Sequence, residues 1–117
     1  LFAIVATKAA YKYGEPWLNI LLQYLEENLQ FIKTFLQQHL RTVGIVEPEG
    51  TYLAWMDIRQ LGMSSAEVSQ KLLHDGKVAV EEGTMFGPGG EGFLRANYAM
   101  PRALLKQALE GMSKALA

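Results

Sequence analysis

Two hydrophobic rhythms run along the chain. From Trp17 to Leu40 the apolar positions Trp17, Leu18, Leu21, Leu22, Leu25, Leu29, Ile32, Phe35, Leu36 and Leu40 recur three and four residues apart. That spacing predicts one amphipathic helix. Gly14 breaks the chain ahead of it, and Pro16 suits a first helical turn, where a missing N–H leaves nothing unpaired. The helix is expected to run to about Thr42, a length of about 40 Å at roughly 1.5 Å per residue. Upstream, "LFAIVATKAAYKY" (1–13) mixes small and apolar residues with Lys8 and Lys12 and predicts a short helix or the end of one.

After Gly44 the rhythm changes. "IVEPEG" reads as a short strand and turn, and "TYLAWMDI" as a strand rich in aromatic and branched residues. "SSAE" then supplies a capping box, with Ser64 as the cap and Glu67 three residues on. The helix it opens carries Val68, Leu72 and Leu73 and stops at Gly76. "KVAVEEG" and "GFLRANYA" predict two more strands on either side of a glycine-rich loop. Pro101 starts a last helix with Leu104, Leu105, Ala108, Leu109, Met112 and Leu116 on one stripe. The order is helix, helix, strand, strand, helix, strand, strand, helix. It predicts an α+β fold: a small, largely antiparallel sheet with helices packed on one face, entered by a long helix.

A length of 117 residues fits one domain. A chain of this size buries roughly two-thirds of its unfolded surface, enough for a real core. The net charge is -1, which speaks against nucleic acid as the main partner, because phosphates call for a basic surface. No apolar run reaches the roughly 18 residues that suggest a membrane span. Cysteine is absent, which excludes disulfides and thiolate chemistry and leaves a cytoplasmic setting as the expectation. Residues 1–13 lack the basic start of a signal peptide. The first residue is Leu1, not Met, and the chain is read as cut from something longer.

Arg95 is the sharpest candidate for chemistry. Strand alternation puts Phe93, Arg95 and Asn97 on one face and Leu94, Ala96 and Tyr98 on the other. Arginine is rarely buried unpaired, and its planar fork matches a carboxylate. From spacing alone three roles stay open. Arg95 faces water, pairs with Glu81, Glu82 or Glu91, or receives an anionic ligand. The loop "GPGGEG" has neither the lysine of a P-loop nor a helix after it, so no nucleotide motif is present. It reads as a connector or as a flap beside a ligand. His39 and His74 fall on different helices with no ligand spacing, and no metal is expected. Ser64 and Ser65 read as a cap. Adjacent acids such as Glu26–Glu27 and Glu81–Glu82 point different ways. Tyr52 and Trp55 fall on opposite faces of their strand.

Three segments carry a resemblance. "PEGTYLAWMDIR" (Pro48–Arg59), "KVAVEEGTMFGPGGEGFLRANYAMPR" (Lys77–Arg102) and "GEPWLNILLQYLEENLQFI" (Gly14–Ile32) are similar to the C-terminal small domain of class I/II aminotransferases, which use pyridoxal phosphate (PLP). The branch they resemble most is the cystathionine β-lyase, or C–S lyase, type. There a G-T-Y-L-x-W-x-D strand precedes a "G-x-M-F-G…G-x-G-F-x-R-x-N…P-R" segment. The resemblance covers nearly the whole chain, and the Arg95 segment is its most specific part.

The resemblance implies the small domain of the fold type I PLP-dependent transferases. Residues 1–15 are expected to be the end of the large-domain or linker region. Residues 16–117 are expected to be the small domain, including the long interdomain helix. In the family the arginine at the position of Arg95 binds the substrate α-carboxylate, with Tyr52 and Phe86 as further substrate-side candidates. Asn97 is expected to tie strand to loop, and Arg102 to pair with an acid. One departure matters. The lysine on which the family carries PLP lies in a large domain upstream, and no lysine here has its context. The chain alone is therefore expected to be inactive, and no catalytic or cofactor-binding residue is assigned within it. The implied partners are an amino-acid substrate, the large domain and a second copy in a homodimer. Without the large domain, the apolar face from Trp17 to Leu40 is expected to be partly exposed. The rival readings are a stand-alone amino-acid-sensing module and a structural or dimerisation domain.

Overall fold

The computed structural model describes residues Leu1–Ala117. Four α-helices and four short strands form two layers. Helix α1 spans Phe2–Tyr13 and α2 spans Glu15–His39. Strands β1 (Gly44–Val46) and β2 (Leu53–Asp57) follow. Helix α3 covers Ser65–Lys71 and continues as a single π-helical turn, Leu72–Gly76. Strand β3 is only Glu81–Glu82, β4 is Phe93–Asn97, and α4 is Arg102–Leu116. The sheet order is β1-β2-β4-β3, and every neighbouring pair is antiparallel.

The pattern-based elements all lie close to where they were expected, with shorter strands. "KVAVEEG" contributes just two paired residues, because Lys77 takes a left-handed conformation (φ 57°) and Val78 N–H bonds back to Leu72. That backbone closes the end of the preceding turn instead of joining the sheet. Helix α2 ends at His39, where Leu40 leaves helical geometry (φ -143°, ψ 61°) and turns its side chain into the core.

One face of the sheet is covered. Ala54, Met56 and Leu94 point into a core shared with Leu25, Leu29, Ile32 and Leu36 of α2, Val68 and Leu72, and Leu105, Leu109 and Met112 of α4. Burying each large aliphatic side chain contributes about 1.5–3 kcal/mol. Helix α2 divides in two. From Leu25 onward its apolar stripe is buried, whereas Trp17, Leu18, Ile20 and Leu22 are exposed. Helix α1 buries no residue.

Two polar side chains are fully enclosed, Asn28 and Ser65. Asn28 Nδ2 donates to the carbonyls of Tyr98 (2.9 Å) and Met100 (3.0 Å), and its Oδ1 accepts from Arg102 Nε (2.7 Å). Tyr24 assists: its hydroxyl accepts from the Arg102 N–H at 2.8 Å and so caps α4, which has no side-chain cap of its own. The long helix is thus bolted to the segment that leaves β4. Arg102 pairs with this amide and lies over the Phe31 ring at 4.9 Å, so its partner is not the acid that was expected. No helix is long and apolar enough to cross a membrane.

Candidate functional site

The uncovered face of the sheet carries the candidate site. Trp55 of β2 lies directly opposite Arg95 of β4, and Glu81 of β3 lies directly opposite Arg95 on the other side. Residues opposite each other across an antiparallel ladder share a face. Glu81, Arg95 and Trp55 therefore form a row across the sheet. Arg95 Nε donates to Glu81 Oε2 at 2.7 Å, and Nη2 lies 2.5 Å from the same oxygen. The Arg95 side chain is 29% exposed and that of Glu81 49%. Of the roles left open by spacing, the ion pair with Glu81 is therefore made, but at the surface. Only one oxygen and one edge of the guanidinium take part. Nη1 has no partner.

The Phe86 ring lies over the guanidinium, 4.2 Å from its centroid, and packs edge-on against Trp55 at 5.8 Å. Phe93 stacks on the other flank of Trp55 at 5.7 Å, and Arg59 lies over Phe93 at 5.0 Å. Asp57 and Arg59 close the row through two hydrogen bonds, 2.9 and 2.6 Å. The Arg59 guanidinium holds the Asp57 carboxyl below the usual aspartate range, first by that side-chain bond and then by the backbone N–H of the same residue. The open face is thus a band of aromatic rings edged by two arginines, each with its own carboxylate.

The glycine-rich segment is built to hold Phe86 in place. It forms two 3-10 turns, Gly83–Phe86 and Pro88–Gly90. Gly83 and Gly90 cross so closely that a Cβ on Gly90 would sit 1.9 Å from the Gly83 carbonyl oxygen. Only glycine fits at such an approach. The far end is anchored to α3. Ser65 N–H donates to Glu91 Oε1 at 2.8 Å, and the buried Ser65 Oγ accepts from Gly92 N–H at 2.8 Å. The loop is braced against α3 and supports the strand that carries Arg95.

Of the three expected substrate-side residues, the fold brings Arg95 and Phe86 together. Tyr52 stands apart: it is half exposed, and its backbone carbonyl accepts from Tyr98 N–H at 3.0 Å. It precedes β2, three residues before Trp55, an odd spacing that puts it off Arg95's face. The turn before it is held by an unusual backbone, with β-branched Thr51 at φ 68°. Tyr98 Oη donates to the Thr51 carbonyl at 3.1 Å, and burial raises the Tyr98 pKa. Asn97 Oδ1 accepts from Ala99 N–H at 2.8 Å and so turns the chain out of β4.

Sequence reasoning assigned no site role to Trp55, Phe93 or Arg59, read Ser65 only as part of a cap, and did not mark Asn28. For the last two a signal was present. Asn28 sits three residues after Leu25 and four before Ile32, and Ser65 three before Val68. Both occupy core positions of an apolar stripe, and a polar residue there needs partners.

The residues present do not make a cradle for PLP. That group asks for a lysine and phosphate donors in one cavity. An open groove of about 700 Å³ between α2 and β1 contains Lys33 and Arg41. Lys33, however, is engaged by Glu47 at 2.5 Å, and Arg95 does not line that groove. Lys71 and Lys106 are paired with Asp75 and Glu110 on helix surfaces. No group of three or more histidine, aspartate or glutamate side chains is placed to hold a metal ion.

The family model for aminotransferase class I and II matches residues 2–112. This chain belongs to that family. Among its curated relatives, cystathionine beta-lyase PatB of Bacillus subtilis is 43% identical over 98% of this chain and 30% of its own length. Protein MalY of Escherichia coli is 34% identical over 99% of this chain and again 30% of its own length. A PLP-bound protein of Clostridium difficile 630 superposes with a TM-score of 0.95 at 41% identity, covering 99% of this chain and 30% of that one. The PLP-bound C–S lyase of Staphylococcus hominis gives 0.87 at 33% identity, with 97% and 30% covered. The chain spans about 30% of the length of the relatives it matches. Its fold is that of the small domain in these fold type I PLP proteins.

Proposed function

We propose that this chain is the C-terminal small domain of a PLP-dependent aminotransferase or C–S lyase and that Arg95 binds the α-carboxylate of its amino-acid substrate. Residues 1–15 then belong with the large-domain or linker region, and residues 16–117 are the small domain proper. The observation that carries the reading is the state of the Arg95 guanidinium. It lies on the uncovered face, partly exposed, with Glu81 on its side edge and Nη1 unpartnered. A planar fork with its terminal edge free is the shape that receives a carboxylate through two parallel hydrogen bonds. The family membership and the C–S lyase relatives point to the same chemistry.

Within the parent, PLP supplies the electron withdrawal that weakens bonds at the substrate α-carbon. This chain's part is orientation. Gripping the carboxylate fixes one substituent of that carbon. Holding a reactant in one geometry lowers the barrier without any chemistry by the holder. The lysine and phosphate donors would come from the large domain, so the chain is inactive alone, and the parent works as a homodimer.

The test is Arg95→Ala in the full-length protein, assayed with L-cystathionine by pyruvate release. Two charge-assisted hydrogen bonds are worth about 3 kcal/mol, so KM should rise about 100-fold. An unchanged KM would remove Arg95 from the substrate site.

A further inference from the structure

We propose that Glu81 is the positioning residue for Arg95: it holds the guanidinium by its side edge so that the terminal edge is presented, already oriented, to a carboxylate. This rests on the reading of Arg95 given above.

The geometry is specific. Strand β3 has just two residues, and one of them, Glu81, is in direct register with Arg95. The fold therefore spends its shortest strand on placing this carboxylate. Its Oε2 takes the Nε hydrogen bond at 2.7 Å and stands 2.5 Å from Nη2. Those two nitrogens form the side edge of the fork. Phe86 covers one face of the same group at 4.2 Å, and Trp55 braces Phe86. Edge and face are both fixed, and Nη1 with the outer proton of Nη2 is left over. An arginine has a long flexible stem, and ordering it on ligand binding is unfavourable. Here the order is present beforehand.

The competing arrangement is a glutamate that occupies the ligand's own place. It would seat its carboxylate on the terminal edge, with both oxygens engaged. Glu81 does neither. A competitor and a support also differ in sign. Removing a competitor tightens ligand binding, whereas removing a support weakens it. The pair is at the surface, where ion pairs contribute little to stability, so the fold survives the change.

The experiment uses the full-length protein with PLP bound and three variants, Glu81→Ala, Glu81→Gln and Arg95→Ala. The dissociation constant of L-alanine, an amino acid with the carboxylate but no leaving group, is read from the cofactor's absorbance. L-Cystathionine turnover then gives KM and kcat separately. For Glu81→Ala the L-alanine dissociation constant and KM should each rise about 10-fold, with kcat within about twofold. Glutamine keeps an acceptor oxygen in the same place, so Glu81→Gln should return both constants to within about threefold of the parent. A Glu81→Ala variant that binds L-alanine as tightly as the parent, or more tightly, overturns the proposal. So does a Glu81→Gln variant as impaired as Glu81→Ala. Arg95→Ala separates the two layers. If it leaves L-alanine binding unmoved, the reading of Arg95 itself falls. If it abolishes binding while Glu81→Ala has no effect, only the role of Glu81 falls.

Discussion

Replacing Asn28 with alanine strikes the joint between the long helix and the strand that carries Arg95. The side chain is fully buried and makes three hydrogen bonds: two to the carbonyls of Tyr98 and Met100 and one from Arg102 Nε. The first two are neutral and contribute about 1 kcal/mol each, while the bond from the guanidinium contributes about 1.5–3 kcal/mol. Truncation leaves the buried Tyr98 carbonyl, the part-buried Met100 carbonyl and the part-buried Arg102 Nε–H without this partner. Tyr24 Oη partly covers the Met100 carbonyl, at the long distance of 3.4 Å, and some relaxation will follow. The expected loss is about 3 kcal/mol, a large share of a typical domain's stability. Urea unfolding followed by far-ultraviolet circular dichroism measures it. Asn28→Leu, similar in volume and apolar, should lose nearly as much, because the partners stay unpaired though the space is filled. A loss below about 1 kcal/mol in both variants would refute the assignment of Asn28 as a hydrogen-bonding hub and leave it a spacer.

Two further outcomes are expected. Gly90→Ala drives a Cβ into the Gly83 carbonyl, 1.9 Å away, and backbone must move to relieve it. The variant should lose about 2 kcal/mol or more in thermal unfolding and should weaken amino-acid binding as Phe86 leaves Arg95; a Tm equal to the parent's would contradict the close crossing. Glu67 gives the pH dependence. Its pKa is lowered from 4.5 by the hydrogen bond from the Ser64 hydroxyl and then by the Ser64 backbone N–H. A depressed carboxylate stabilises the folded chain above the unfolded value, and that contribution fades as pH falls through 4.5 toward the folded value. Glu67→Gln keeps the capping acceptor and does not titrate. Between about pH 5 and about pH 3 its Tm should therefore fall less than the parent's, and parallel curves would count against the cap.

How much of this was legible beforehand divides along a physical line. Short-range geometry is written in local spacing. The stripe from Trp17 to Leu40 announced α2, Ser64 and Glu67 announced a capping box that is present in full, and alternation put Phe93, Arg95 and Asn97 on one face. The family motif around Arg95 pointed to the candidate site because it joins unusual residues at fixed intervals. The stripe, the cap and the alternation depend on neighbours within a few positions; the motif spoke through its resemblance to the family.

Partner choice depends on chain closure, which no spacing reports. Glu81, Glu82 and Glu91 were equal candidates for Arg95 until β3 paired with β4 and placed Glu81 opposite it, while Glu91 went to the N–H of Ser65. Arg102 found an amide instead of an acid, because α2 crosses the exit of β4 there and brings Asn28 to it. Strand β3 shrank to two residues for the same kind of reason, since the backbone of Val78 was already committed to closing the turn after Leu72. Local sequence set which groups could make strong contacts. The packing of α2 and the pairing of four short strands decided which contacts were made, because each buried polar group must be satisfied within the one arrangement that also buries the apolar stripes.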